Sequence, residues 1–221
     1  MKDGILVVNK PEGMTSHDVV DFVRRKIKIK QVGHAGTLDP IATGVLLILV
    51  GKCTKLFNNF LNFDKEYLAT LTLGKRTTSG DREGEVIETK DYSFITEDSV
   101  RGAFHSYVGQ ILQIPPMVSA LKYRGKRLYL LARKGLKVHR EPRLIVINEL
   151  NLLKFNLPYI EFYLRCSKGT YVRQLAEDIA KDLNCVGYIS QIDRRRVGPF
   201  DISQAISLPQ IDESCLRPYP F

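Results

Sequence analysis

The sequence predicts an α+β domain on a mixed, largely antiparallel sheet flanked by helices, and three observations predict it. Segments of strand length and strand-like apolar pattern recur, at Ile5 to Val8, Val45 to Val50 and Tyr159 to Cys166. Helical stripes fall between them, as in Val19, Val20, Val23 and Ile27, or Leu175, Ile179 and Leu183. The connections are sometimes of hairpin length and sometimes of helix length, which suits a sheet of mixed direction.

Taken in order, Ile5 to Val8 reads as a buried strand, and Lys10-Pro11-Glu12-Gly13 turns the chain. Ser16 is expected to cap the helix that follows. That helix runs out into Arg24-Arg25-Lys26-Ile27-Lys28-Ile29-Lys30, a cationic end that complements the macrodipole. Residues 31–43 read as a glycine-rich loop, Val45 to Val50 as a buried strand, and Thr54 to Phe63 as a second amphipathic helix. Strands at Glu66 to Leu73 and Glu85 to Thr89 flank a loop from Lys75 to Gly84. A helix follows at Glu97 to Val108, then a strand near Gln110 to Ile114 and a break at Pro115-Pro116. Leu144 to Phe155 and Tyr159 to Cys166 form a strand pair, and a helix runs from Tyr171 to Leu183. No internal repeat, low-complexity tract or linker divides the chain, and its length suits one large domain, or one with a small appendage.

Composition narrows the function. With 44% hydrophobic and 26% charged residues the balance is that of an ordinary globular protein. The 33 Lys and Arg against 24 Asp and Glu give a net charge of +9, which favours polyanionic partners, nucleic acid first and an anionic membrane second. No apolar run approaches the roughly 18 residues of a membrane span, and Met1-Lys2-Asp3 leads straight into a strand too short for a signal segment. A cytoplasmic address without membrane attachment is therefore expected. Cys53, Cys166, Cys185 and Cys215 are too scattered for a zinc site or redox motif, and His17, His34, His105 and His139 include no helical pair. No metal is expected. Gly51-Lys52-Cys53-Thr54 resembles the end of a phosphate-binding loop, but the earlier glycine is replaced by Leu46. Ser16-His17-Asp18 names the members of a hydrolase triad, yet consecutive residues at a helix start point apart and cannot form a relay.

The positive charge is not evenly spread. From Ser99 to Arg140 there is no Asp or Glu, while Arg101, Lys122, Arg124, Lys126, Arg127, Arg133, Lys134, Lys137 and Arg140 are cationic. Tyr107, Tyr123 and Tyr129 are interleaved, which suits a surface meeting phosphates by charge and bases by stacking. Arg194-Arg195-Arg196 reads as another basic cluster of the same kind.

One segment carries chemistry. Gly33-His34-Ala35-Gly36-Thr37-Leu38-Asp39-Pro40 runs on through Ile41-Ala42-Thr43-Gly44-Val45-Leu46, placing an acid in a glycine-bracketed loop that leads into a strand. A bare Asp-Pro is most often a turn. The whole segment, however, resembles the signature loop of the TruB family of tRNA pseudouridine-55 synthases. Further matches follow in the same order: Gly4 to Thr15 with Lys10-Pro11-Glu12-Gly13-Met14, Lys65-Glu66-Tyr67, Asp81 after Gly74, and Ser167-Lys168-Gly169-Thr170-Tyr171-Val172-Arg173. Pro115-Pro116-Met117-Val118-Ser119-Ala120-Leu121-Lys122 and the basic stretch to Arg140 resemble the RNA-gripping thumb of the bacterial branch, where guide-RNA-dependent relatives differ.

The resemblance implies a pseudouridine synthase fold, one catalytic domain over residues 1–221, and a thumb-like RNA-binding insertion at about 115–142. It implies a monomer that acts directly on the T arm of tRNA with no small-molecule cofactor. Asp39 is the implied catalytic carboxylate, open to acting as a nucleophile on C1′, as a nucleophile on the base, or as a general base. Arg173 would pair with it, and Tyr67 would stack on the uracil. His34 would occupy the space that the flipped base vacates. Lys10 would serve a structural or RNA-near role, Asp81 would contact the surroundings of the flipped nucleotide, and Ile192 would wall the uracil pocket. Lys122, Arg124, Lys126 and Arg127 would hold RNA.

Two features depart from the family. The chain stops at Phe221, which predicts that the small C-terminal RNA-binding domain of most bacterial relatives is missing. The Leu-Arg-Arg element reads Ile192-Asp193-Arg194, and its glycine-rich approach reads Asn184-Cys185-Val186-Gly187.

Overall fold

The apolar run after the N-terminus becomes β1, Gly4–Lys10, buried at every position except Asn9 in a computed structural model that describes residues 3–219. The expectations drawn from Met1-Lys2 and from the stop at Phe221 lie outside the described residues. Helix α1, Ser16–Lys26, turns Val19, Val20 and Val23 inward as the stripe predicts. Its cap is not Ser16 but Thr15, whose hydroxyl accepts from the Asp18 amide while the Asp18 carboxylate accepts from the Thr15 amide. Ser16 is one residue inside the helix and points elsewhere.

The segment that reads as a loop over residues 31–43 contains a strand, β2 at Val32–Ala35, before β3 at Thr43–Val50. The glycines on either side of His34 and Ala35 hide it. The predicted second helix is a 3-10 segment, Gly51–Leu56, passing into a short α2, Phe57–Leu61. β4, Lys65–Leu73, is followed by β5, Lys75–Thr77, and β6, Val86–Thr89, which pair as a hairpin across the expected loop. Helix α3, Glu97–Tyr107, and β7, Gly109–Gln113, match the pattern. The basic insertion folds as β8, Lys122–Tyr123, β9, Lys126–Arg127, and a short α4, Leu128–Ala132. β10, Arg143–Asn156, and β11, Tyr159–Cys166, pair antiparallel as expected, and α5 spans Val172–Asp182. Two further strands go beyond the sequence expectation, β12 at Gly187–Val197 and the short β13 at Phe200–Asp201. The charged residues of β12 mask its alternation.

The chain forms two compact units, Met1–Leu68 with Gln191–Phe221, and Ala69–Ser190. In the first, β3 pairs antiparallel with β1 and β2 and parallel with β12, so the sheet is mixed. Its core includes Ile5, Val7, Ala35, Val45, Leu47, Leu49, Phe60 and Val197. The outer edge of β1 is covered by the C-terminal segment, where Ile5 and Arg217 exchange both backbone hydrogen bonds at 2.9 and 3.0 Å. In the other unit β10 lies between β7 and β11, antiparallel to both. Phe104 of α3 packs edge-on against Phe162 of β11, with ring centroids 5.7 Å apart. No helix among the described residues is long and apolar enough to cross a membrane.

Candidate active site

The loop that carries Asp39 is held by its backbone. Strand β2 ends at Ala35, Gly36 follows with φ +79, a left-handed turn that glycine adopts at no steric cost, and β3 begins at Thr43. Between them alternate residues are fastened from different elements. Arg194 of β12 donates from Nη2 to the Gly36 carbonyl at 2.9 Å and from Nε to the Val45 carbonyl at 2.7 Å. Ser16 of α1 donates from its hydroxyl to the Leu38 carbonyl at 3.0 Å and accepts from the Leu38 amide at 2.8 Å. Lys10 of β1 donates from Nζ to the carbonyls of Pro11, Met14 and Pro40 at 2.8, 2.6 and 3.2 Å. The Asp39 carbonyl accepts from the Ala42 amide at 3.0 Å, closing a turn over Pro40 and Ile41. Asp39 itself is half-buried.

Lys10 is 0% exposed and its ammonium is turned inward onto carbonyls, and the other two fastenings correct sequence expectations. Arg194 belongs to no surface basic cluster, since it is 1% exposed. Its neighbours are neutralised within the same unit: Arg195 donates to Asp193 at 2.8 Å, and Arg196 pairs with Asp201 at 2.9 Å and Glu66 at 3.3 Å. Ser16 is a loop clamp in place of the expected helix cap. The signal for Arg194 is present in the sequence: alternation from Ile192 along a strand puts residue 194 on the same inward face. The close seam between β3 and β12 also explains Gly44, where a Cβ would come within 2.2 Å of the Arg194 carbonyl oxygen.

His34 lies on β2, half-buried, and its Nδ1 is buried with no hydrogen-bond partner among the described residues. Burial chiefly, then the charges of Arg194 and His17, lower its pKa from 6.5 to about 4. The imidazole is therefore neutral at physiological pH. Tyr67 on β4 and Ile192 on β12 are both buried, with 7% and 8% exposure. A cleft of about 670 Å3 also opens on the first unit, but of the expected site residues only Lys10 lines it.

The other unit holds Arg173 and Asp81. Arg173 is the second residue of α5, and its Nη1 lies 3.6 Å from Asp81 Oδ2, with both side chains almost fully buried. The same guanidinium donates to the Ser79 carbonyl and, at 2.9 Å, to the Val118 carbonyl. Asp81 accepts in addition from the Ser79 hydroxyl and from the Glu83 amide at 3.1 Å. Asp81 is thus a buried partner of Arg173. In the basic insertion Arg124 and Gly125, with φ +47 and +82, make the tight turn between β8 and β9. Lys122, Arg124, Lys126 and Arg127 are all exposed there. Arg124 lies over the Tyr123 ring and Arg133 over the Tyr129 ring, each 5.5 Å from the centroid, so charge and aromatic face are presented together. Arg140 ties the end of the insertion to its start through the Pro115 carbonyl at 3.0 Å.

The chain is similar to known proteins. Residues 24–172 match the family model described as TruB family pseudouridylate synthase, N terminal domain. The tRNA pseudouridine synthase B of Clostridium tetani is 46% identical over 217 residues, covering 98% of this chain and 75% of that protein. That of Opitutus terrae is 45% identical over 210 residues, covering 95% and 87%. Among solved structures, a Cbf5-Nop10-Gar1 complex contains a chain 28% identical with TM-score 0.73, matched over 93% of this chain and 52% of that one. An H/ACA RNP bound to a substrate RNA containing 2′-deoxyuridine contains another, 25% identical with TM-score 0.69, matched over 93% and 51%. The chain therefore spans about half the length of these solved chains.

Proposed function

Because this chain belongs to the TruB family of pseudouridylate synthases, we propose that it isomerises the uridine at position 55, in the T arm of tRNA, to pseudouridine. The observation that carries the proposal is the backbone-clamped Asp39 loop in a chain 46% identical to a tRNA pseudouridine synthase B. The reaction breaks the bond from ribose C1′ to uracil N1, turns the base, and joins C5 to C1′. One proton leaves C5 and one arrives at N1, so atoms and electrons balance without any redox partner or cofactor. Positive character develops at C1′ as the first bond breaks, and an ionised carboxylate stabilises it. Asp39 is assigned that task.

The remaining roles follow from the family resemblance and fit what each side chain can do. Tyr67 offers a buried ring for the uracil to stack on, and Ile192 adds apolar surface. Arg173, held by Asp81 and two carbonyls, supplies a guanidinium fixed in place. His34 is neutral, so it can fill a gap in stacked RNA without the cost of burying a charge. Lys122, Arg124, Lys126 and Arg127 meet the phosphates of the T arm. A cytoplasmic address is proposed, because tRNA is the substrate.

Incubation of the purified protein with an unmodified T-arm transcript, in chelator and without added cofactor, tests this. Mass spectrometry of the chemically labelled product is expected to find pseudouridine at one position. A requirement for guide RNA or partner proteins would instead favour the mode of the H/ACA assemblies. Tight, salt-sensitive binding without product would leave a tRNA-binding protein.

A further inference from the structure

Asp39 has a peptide plane on each side, and the two planes together set where its side chain starts. The plane after it is fixed by the turn, since the Asp39 carbonyl accepts from Ala42 at 3.0 Å. The plane before it contains the Leu38 carbonyl and the Asp39 amide nitrogen. That plane is fixed by Ser16, whose one hydroxyl accepts from the Leu38 amide and donates to the Leu38 carbonyl. Pro40 restricts the Asp39 backbone further to extended conformations. With both planes held, only the side-chain torsions of Asp39 remain to be set.

Helix α1 does not need the Ser16 hydroxyl. Thr15 and Asp18 already form its capping box. Ser16 is 2% exposed, so solvent does not compete for the hydroxyl, and both of its bonds go to a residue 22 positions away. A buried hydroxyl used this way fixes geometry in a manner that a methyl group of similar size cannot.

We propose that Ser16 is a positioning residue for the Asp39 carboxylate, acting through the backbone of Leu38; this rests on Asp39 being the carboxylate of a uridine isomerase. Ser16 touches neither uridine nor RNA. It removes the freedom of the Leu38–Asp39 peptide to rotate, and so keeps the carboxylate aimed at C1′ during the reaction.

The test is steady-state and single-turnover kinetics on a T-arm transcript with Ser16→Ala and Ser16→Thr, alongside the unaltered protein. Ser16→Ala is expected to lower kcat roughly 10- to 100-fold, as a sub-ångström to ångström misplacement does, with KM and RNA affinity within about twofold. Ser16→Thr keeps a hydroxyl on the same carbon and is expected to recover most of kcat. Unchanged kcat in folded Ser16→Ala would overturn the assignment, as would a change confined to KM. Loss of folding in both variants, seen as loss of the melting transition, would make the hydroxyl a determinant of the fold only and would also overturn it. Absence of product from the unaltered protein would remove the isomerase reading itself, a result distinct from all of these.

Discussion

His34 and Lys10 belong to the same unit and answer burial in opposite ways. Burial holds the His34 imidazole neutral, with its pKa near 4 where the unfolded chain titrates near 6.5. The folded pKa is the lower one, so as pH falls from about 6.5 to about 4 the unfolded chain takes up the proton first and stability declines. Above that window His34 contributes no slope. Thermal melting between pH 7 and pH 4 should show the melting temperature of the native protein falling more steeply than that of His34→Phe. Parallel curves would contradict the burial of the imidazole. Lys10, by contrast, is a buried ammonium whose water is replaced by carbonyl oxygens. Lys10→Met, similar in length but without donors, is expected to cost about 1–3 kcal/mol in urea unfolding. At this scale the sequence names candidate residues for the site but not which way they face. Lys10 and Arg194 are long cations whose inward direction depends on carbonyls of a loop far along the chain, and no local pattern encodes that. Ser16 is misleading for the same reason, since a serine beside a helix start is usually its cap.

Among the elements, the insertion and α5 carry separate predictions. The hairpin of β8 and β9 buries little and exposes its cations, so Lys126→Ala and Arg127→Ala should leave stability within about 0.5 kcal/mol of native. Each should weaken RNA binding and reduce the slope of log affinity against log salt by roughly 0.7 to 0.9 if it contacts one phosphate. An unchanged slope would show that the hairpin does not meet RNA. Asp81 lies at the opposite extreme. Its charge faces a guanidinium with both side chains buried, so Asp81→Ala leaves a buried cation short of its acceptor and is expected to cost about 3–5 kcal/mol in urea unfolding. The longer helices are legible because their apolar residues keep one period, and the strands β1, β3, β4, β6, β7, β10 and β11 because apolar or alternating segments of strand length mark them. Strands β2 and β12 are not. Glycine and histidine interrupt β2, and the arginines of β12 resemble surface residues until their carbonyl and carboxylate partners are placed.

For the whole molecule, the net charge of +9 points to nucleic acid, but the location of that charge matters more than its sum. Arg194, Arg195 and Arg196 are held by carbonyl or carboxylate partners within their own unit, whereas Lys122, Arg124, Lys126 and Arg127 project outward. Sequence alone reads both groups as RNA surface, but Arg194 is buried and Arg195 and Arg196, with side chains 41% exposed, are already paired with carboxylates. The family is legible because its motif joins an acid, its proline and its glycines in one short loop, and the structure supplies the reason for that spacing: three buried side chains grip alternate residues of it. The most direct test replaces the carboxylate and keeps its shape. Asp39→Asn, assayed against a T-arm transcript in a single turnover, is expected to form no pseudouridine while binding the RNA within about twofold of the native protein. Pseudouridine formed at the native rate by Asp39→Asn would contradict the account.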